Sequence, residues 1–163
     1  MDMKRKIYSV LVENRSGVLF KVAGIFYRRC FNIDSLAVGE TFDNSVSCMT
    51  IVSSGDERTQ EQIEKQLNKK LDVIKVKTYE ESQCITRELM LIKIKYNKAN
   101  RREIMDICKL TGAYIVNMSA KYMIIQICAD PEQVQLMSKM LQSVSVVEVA
   151  RTGTLALSKC VDE

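Results

Sequence analysis

The feature that most constrains the fold is an order of strands and helices that occurs twice along the chain. In the first half, apolar β-branched runs alternate with stretches in which apolar residues recur at helical spacing. The strands are predicted at 7–12, 33–41, 46–53 and 72–79, and the helices begin at Val18 and at Gly55-Asp56. This order, β-α-β-β-α-β, is that of a ferredoxin-like unit.

Both predicted helices of the first half carry an apolar stripe. The first stripe consists of Val18, Leu19, Val22, Ile25, Phe26 and Cys30, and the second of Ile63, Leu67 and Leu71. This spacing places the apolar side chains on one side of a helix and the polar ones on the other. Glu61 and Lys65 lie on the exposed side, where the pair favours the helix.

The second half repeats the order after a short polar stretch, Glu80–Gln83. Strands are predicted at 85–96, 113–119, 122–129 and 144–150, the last being the final strand of the chain. Asn100 is expected to cap a helix that ends at Gly112, and Asp130-Pro131 starts another. The apolar stripe of the helix after Asn100 consists of Ile104, Ile107, Cys108 and Leu110. We therefore predict an α+β chain of two tandem ferredoxin-like βαββαβ domains, at residues 4–79 and 84–158.

The residue types and motifs that the chain lacks exclude several kinds of catalytic and nucleotide-binding site. The chain of 163 residues contains no His, which excludes Ser-His and Cys-His catalysis and imidazole acid–base chemistry. Its six Gly are scattered and form neither a Walker loop nor a G-x-G-x-x-G loop, and its six Cys show no C-x-x-C spacing. We predict that the cysteines are reduced core residues, and we expect no metal site. An enzyme with a Cys or Lys nucleophile remains an alternative.

Charge and hydropathy give expectations about partners. The net charge is +4, but the basic residues are spread out and lack the aromatic pattern of RNA-binding strands, so nucleic acid is not an expected partner. No apolar run approaches the roughly 18 residues that span a bilayer, so a membrane is not expected either. The apolar run after the basic start is too short for a signal peptide, and we expect a cytoplasmic protein.

One turn differs between the halves in a way that suggests ligand binding. Asn14–Val18 joins the first strand to the first helix, and Gly17 leaves the helix start without a side chain, so its N–H groups can approach a carboxylate. Asn14 adds a side-chain amide. Asn32 follows the helix at the opposite end of the sheet and would meet Asn14 only across two antiparallel chains. The equivalent turn of the second half, Tyr96–Asn100, has no Gly and is predicted to be structural. A simple cap and tight bend would explain the first turn as well.

Around this turn the sequence resembles a known family. The stretch Ile7–Phe26 is similar to the ACT domain of acetolactate synthase (acetohydroxyacid synthase) regulatory, or small, subunits. The resemblance continues through Asn32–Val38, Met49–Ile51, Gln62–Lys69, Val73–Val76, Arg87–Lys93 and Val147–Gly153. It therefore covers nearly the whole chain.

The resemblance implies a regulatory role. Members of the family have no catalytic activity. They bind a catalytic subunit that carries thiamine diphosphate, Mg²⁺ and FAD, raise its activity, and make it sensitive to valine or a related branched-chain amino acid. The effector lies between the ACT domains of a homodimer. By this resemblance, Asn14, Gly17 and Val18 hold the polar groups of the effector, Asn32 and Ile33 come from the partner chain, and this chain binds no cofactor of its own.

One residue departs from the family pattern. Members usually have Gly before the aromatic-Asn-Ile run, where this chain has Cys30. If this residue ends the helix at positive φ, a Cys costs roughly 1 kcal/mol, and the backbone that holds Asn32 can shift. The apolar part of an effector is expected to lie against Val12 and Val18, but the sequence does not choose among valine, leucine and isoleucine. A stand-alone ACT-type amino-acid sensor for a different enzyme is the alternative.

Overall fold

The structure, a computed structural model, describes residues 4–160 of the chain. The first half contains β1 (Lys4–Glu13), α1 (Val18–Arg28), β2 (Ser35–Glu40), β3 (Val46–Gly55), α2 (Glu57–Asn68) and β4 (Val73–Tyr79). The second half contains β5 (Cys84–Lys95), α3 (Arg101–Thr111), β6 (Tyr114–Met118), β7 (Tyr122–Ala129), α4 (Pro131–Met140), β8 (Ser145–Arg151) and β9 (Leu155–Ser158). Within residues 4–160, no helix has the length and apolar character needed to cross a membrane.

The strands form two antiparallel sheets. One has the order β2-β3-β1-β4 and the other the order β6-β7-β5-β8, with β9 paired to β5. The predicted α+β architecture of two tandem ferredoxin-like βαββαβ repeats is confirmed. The chain forms two compact units, residues 4–85 together with 154–160, and residues 86–153. The domain limits drawn from the sequence, 4–79 and 84–158, stay a prediction.

The core of the first unit lies between its sheet and its two helices. Alternate residues of β1 point toward the helices, because successive side chains of a strand point to opposite faces. This core contains Tyr8, Val10 and Val12 from β1, Val18, Val22, Ile25 and Phe26 from α1, and Ile63 and Leu67 from α2. Both predicted stripes are confirmed at these positions, and the predicted pair Lys65–Glu61 forms at 2.9 Å.

Three residues of the predicted stripes lie outside this core. Leu71 is 100% exposed, since α2 ends at Asn68 and Leu71 falls in the turn that follows the helix. Leu19 and Cys30 are also exposed. Leu19 turns away from the core, and Cys30 lies beyond the end of α1 at Arg28.

The core of the second unit repeats the arrangement. Its members include Met90, Ile92 and Ile94 from β5, Ile104, Ile107 and Cys108 from α3, and Val134 and Met137 from α4. The prediction for Leu110 is wrong, because its side chain is 76% exposed. Asn100 precedes α3 but does not cap it, because its side-chain oxygen accepts a hydrogen bond from the N–H of Asn97 instead.

The last strand was not predicted from the sequence. After β8 the chain turns at Gly153, where φ is 81°, and β9 pairs with β5. Ala156 of β9 then packs in a small apolar cluster with Ile7, Val52, Tyr79 and Cys84. Residues 144–150 are therefore not the final strand of the chain. Strand β9 adds the last part of the first unit.

Candidate functional site

The start of α1 carries the positive end of the helix dipole, and no acidic or capping side chain from residues 4–160 neutralises it. Gly17 occupies the N-cap position with φ 85°, a left-handed conformation that glycine adopts without strain. The first turn of α1 contains no acidic residue, and no side chain from residues 4–160 caps it. The N–H groups of Leu19 and Phe20 have no hydrogen-bond partner among the described residues. Such free amides favour an anion.

Two other helices are capped by their own carboxylates. Asp56 accepts a hydrogen bond of 2.8 Å from the N–H of Thr59 at the start of α2, which lowers the pKa of the Asp56 carboxyl. Asp130 accepts one of 2.8 Å from the N–H of Gln133 at the start of α4. The chain thus supplies an anion at those two helix starts and none at the start of α1.

The side chain of Asn14 is held beside this helix end. Its amide nitrogen donates to Oε1 of Glu40 at 3.1 Å and to the carbonyl of Asn44 at 2.9 Å. Its backbone N–H donates to the carbonyl of Ser45 at 2.7 Å. These contacts fix the orientation of the amide, whose oxygen has no partner within residues 4–160. The site therefore offers two oxygen acceptors for a cation, the Asn14 amide oxygen and the Glu40 carboxylate.

Sequence reasoning missed the part of Glu40 and Asn44 in this arrangement. They lie 26 and 30 residues after Asn14, at the end of β2 and in the β2–β3 turn. The one signal in the sequence was the predicted hairpin, because antiparallel pairing of β1 with β3 brings that turn next to the end of β1.

Cations near the turn are already paired. Lys21 contacts the Asp72 carboxylate at 2.8 Å, and Arg15 contacts Glu13 at 3.2 Å. The hydrogen bond from Lys21 holds the pKa of Asp72 below its usual value. The positive character of the site therefore comes chiefly from the backbone N–H groups of α1.

Val18 is buried, unlike the polar residues at the start of α1. Its side chain is only 2% exposed and packs in the first core, as does that of Val12. Neither side chain presents surface to a ligand in this chain, in contrast to the expected contact with the apolar part of an effector. Val18 contributes to the site through the start of the helix backbone.

The second group of predicted residues follows the end of α1. The N–H of Cys30 donates to the carbonyl of Tyr27, and the N–H of Phe31 donates to the carbonyl of Phe26. With Cys30 at φ 55°, these two bonds form a Schellman motif, and Phe31 packs against the core that contains Phe26. Cys30 is the one non-glycine residue at positive φ in the described part of the chain.

Asn32 and Ile33 are fixed immediately after this motif. The Asn32 amide donates to the carboxylate of Asp34 at 2.7 Å, and its carbonyl accepts from Ser53 Oγ at 2.6 Å. Asn32 is exposed, whereas Ile33 is half-buried against the first core.

The chain does not bring Asn14 and Asn32 together. Asn14 bonds next to Val46, which pairs with Glu13, whereas Asn32 bonds to Ser53 at the other end of β3. Seven residues of β3 separate these points, a span of about 23 Å. The two groups of predicted site residues therefore lie at opposite ends of the first sheet, as expected.

The equivalent turn of the second unit has a structural role, as predicted. The Asn97 carboxamide oxygen accepts from the N–H groups of Ala99 and Asn100, and Asn100 accepts from the N–H of Asn97. The side-chain oxygens of Asn97 and Asn100 thus satisfy the backbone N–H groups of this turn.

The cysteines form no disulfide within residues 4–160. Cys84 and Cys108 are buried, as predicted, but Cys30, Cys128 and Cys160 are exposed, so the prediction of core cysteines is wrong for these three. Burial raises the pKa of the Cys84 and Cys108 thiols, which makes them poor nucleophiles. In the described range, no three Cys, Asp or Glu side chains are grouped to hold a metal ion.

Comparison with known proteins shows that both halves of the chain match models of the same kind of protein. Residues 8–75 match the family model described as an AHAS small subunit-like ACT domain, and residues 87–160 match that of the small subunit of acetolactate synthase. The acetolactate synthase small subunit of Mycolicibacterium smegmatis is 40% identical over 93% of this chain and 89% of its own length. A protein of Archaeoglobus fulgidus named "Probable acetolactate synthase small subunit" is 43% identical over 95% of this chain and 96% of its own length.

A solved structure of a protein of the same name also matches this chain. The crystal structure of the acetolactate synthase small subunit of Thermotoga maritima matches with a TM-score of 0.90 and 34% identity. The match covers 98% of this chain and 99% of that one.

Proposed function

Because the chain belongs to the family of acetolactate synthase small subunits, we propose that it activates the catalytic subunit of that enzyme and makes it sensitive to inhibition by valine or another branched-chain amino acid. The chain is a regulatory subunit and not the catalytic one. Thiamine diphosphate, Mg²⁺ and FAD are then bound by the catalytic partner, and this chain binds no cofactor. It acts in the cytoplasm, without nucleic acid or membrane as a partner.

The observation that carries the effector proposal is the uncapped start of α1 beside a fixed Asn14. An amino acid is a zwitterion, and the site offers a complement to each charge. The effector carboxylate accepts hydrogen bonds from the free N–H groups at the start of α1. Its ammonium group donates to the Asn14 amide oxygen and to the Glu40 carboxylate, which Asn14 holds in place.

A homodimer completes this site. Strand β2 is an edge of its sheet, and its outer side pairs with no strand among residues 4–160. Antiparallel pairing of two β2 strands puts Ser35 of one subunit opposite Glu40 of the other. Asn32 and Ile33, just before Ser35, then lie next to the partner subunit's Asn14. Exposed edge strands readily pair in this manner.

Exposed apolar residues of α1 also favour contact with a second subunit. Phe20 and Tyr27 are 82% and 84% exposed, and Leu19 is also exposed. Large apolar side chains grouped on one element are typical of protein–protein contacts.

Regulation follows if the effector stabilises one arrangement of the dimer and the catalytic subunit binds preferentially to another. A coupling free energy of about 1–3 kcal/mol between the two binding sites is enough for strong inhibition. The match of residues 87–160 to the C-terminal part of the family favours this function over a stand-alone amino-acid sensor.

The test is acetolactate formation by the isolated catalytic subunit, with and without this chain, during a valine titration. We expect activation by the chain and progressive inhibition by valine. Asn14→Ala removes the ammonium acceptor and should abolish inhibition while activation persists. Asn68→Ala is the matched control, because the side chain of Asn68 makes a single hydrogen bond among residues 4–160, to the carbonyl of Glu64 at the end of α2. Failure to activate the catalytic subunit would refute the proposal, and activation without inhibition would refute its effector part.

A further inference from the structure

The residues just before Gly153 are held firmly within the second unit. The N–H of Thr152 donates to the Leu89 carbonyl at 3.0 Å, and the N–H of Leu89 donates to Thr152 Oγ1 at 3.1 Å. The Arg151 guanidinium donates two hydrogen bonds, of 2.6 and 2.9 Å, to the Glu88 carboxylate. The side chain of Glu88 is only 5% exposed, so this ion pair is shielded from water on one side. Charged, two-point hydrogen bonds of this kind are among the stronger ones in proteins.

The residue just after Gly153 is held beside the predicted effector segment. The N–H of Thr154 donates to Ser35 Oγ at 2.8 Å, and Thr154 is almost fully buried. Ser35 comes directly after the segment 32–34, which contains the predicted site residue Asn32. A single residue, Gly153, therefore separates an anchor in the second unit from an anchor on this segment.

The rest of the segment 154–159 is also fixed to the first unit. Ala156 packs against Ile7 and Val52, and Val52 is the pairing partner of Ser35 in β3. The N–H of Lys159 donates to the carbonyl of Gln83 at 3.1 Å. The segment is thus hydrogen-bonded at both ends, and Thr154 and Ala156 are its buried residues.

We infer that Ser35 is a positioning residue that transmits effector binding at Asn32 to the rest of the chain through its hydrogen bond to Thr154. This inference rests on the proposed function. Closure of the segment 32–34 around an amino acid displaces Ser35, and Thr154 follows because its N–H has Ser35 Oγ as its acceptor. Thr154 is joined through Gly153 to Thr152, whose N–H donates to the Leu89 carbonyl. A two-state response of this type needs only a contact whose free energy differs between the two states.

The test separates valine binding from valine inhibition in the complete chain. Ser35→Ala removes the acceptor, and Ser35→Thr retains a hydroxyl. We expect Ser35→Ala to bind valine in calorimetry with unchanged affinity and to activate the catalytic subunit normally. At saturating valine, its residual activity should exceed that of the wild type by about three- to tenfold, the effect of one neutral hydrogen bond. Ser35→Thr should be inhibited like the wild type.

A control variant removes a hydroxyl that holds the segment 32–34 from the neighbouring strand β3. Ser54 Oγ donates to Asp34 at 2.6 Å, so Ser54→Ala loosens the segment but leaves the Thr154 bond in place. Binding and inhibition should therefore change together in Ser54→Ala. Separation of binding from inhibition in Ser54→Ala as well as in Ser35→Ala would overturn the inference.

Hydrogen exchange on the wild type provides a second measurement that does not depend on the folding of any variant. Valine should slow amide exchange in Leu155–Ser158 as well as around Asn32. Slower exchange around Asn32 alone, or full inhibition of Ser35→Ala, would overturn the inference and leave the proposed function intact. A wild-type chain that binds no valine would instead refute the effector part of the proposed function, and this inference with it.

Discussion

Replacement of Cys30 by Gly tests whether the end of α1 stores strain. Cys30 occupies the left-handed position of a Schellman motif at φ 55°, where a Cβ atom is unfavourable. The equivalent position after α3 is Gly112, at φ 68°. A non-glycine residue in this region costs about 1–2 kcal/mol, whereas glycine loses about 0.5–1 kcal/mol through the greater freedom of the unfolded chain. We therefore expect Cys30→Gly to raise the free energy of unfolding by about 0.5–1 kcal/mol.

For a chain of this length, that gain corresponds to a Tm increase of about 2–3 °C, which thermal unfolding followed by circular dichroism resolves. Cys30→Ala is the control, because it removes the thiol but keeps the Cβ atom, and its Tm should not change. Gly112→Ala is the converse change and should lower stability by about 1 kcal/mol. Equal stabilisation by Cys30→Ala and Cys30→Gly would refute the reasoning, since the thiol rather than the backbone would then be the cause.

Three further predictions concern stability. Arg151→Ala leaves the buried Glu88 carboxylate without its partner and should lower the free energy of unfolding in urea by about 2 kcal/mol. The control is Arg101→Ala at the exposed start of α3, which should cause no loss of stability. Asp130→Ala removes the cap of α4 and should cost about 1 kcal/mol in the same assay, and an unchanged urea midpoint would contradict the capping role. The pKa of Asp72 is lowered in the folded chain, so its contribution to stability is present at neutral pH and is lost as the pH falls below the ordinary carboxyl value of 3.8. Lys21→Met should reduce this acid sensitivity, as measured by urea midpoints across the acid range.

Local patterns predicted the order of elements well. Alternation in strands and helical spacing of apolar residues arise from the same burial that holds the cores together, as at Val10 in β1 and Ile63 in α2. These patterns do not define where a helix stops. Leu71 fits the helical spacing of α2 but lies beyond its last residue, and Leu110 is within α3 but on its exposed side.

The site was only partly predictable. The conformational requirement at Gly17 is local, so the sequence indicated it, and the left-handed backbone at Cys30 was anticipated from a departure in a known pattern. The contact between Asn14 and Glu40 depends on strand pairing, which a linear pattern does not specify. The four-residue strand that contains Ala156 is too short for a periodic signal, because one buried residue defines no period.

Strand β9 has a consequence for the synthesis of the protein. Residues 154–160 belong to the first unit, but the ribosome adds them after the whole of residues 86–153. Until then, Ile7 and Val52 lack the cover that Ala156 provides in the finished chain. The first unit thus emerges early but reaches its final packing late, and during this interval its apolar surface is open to chaperones or to premature association.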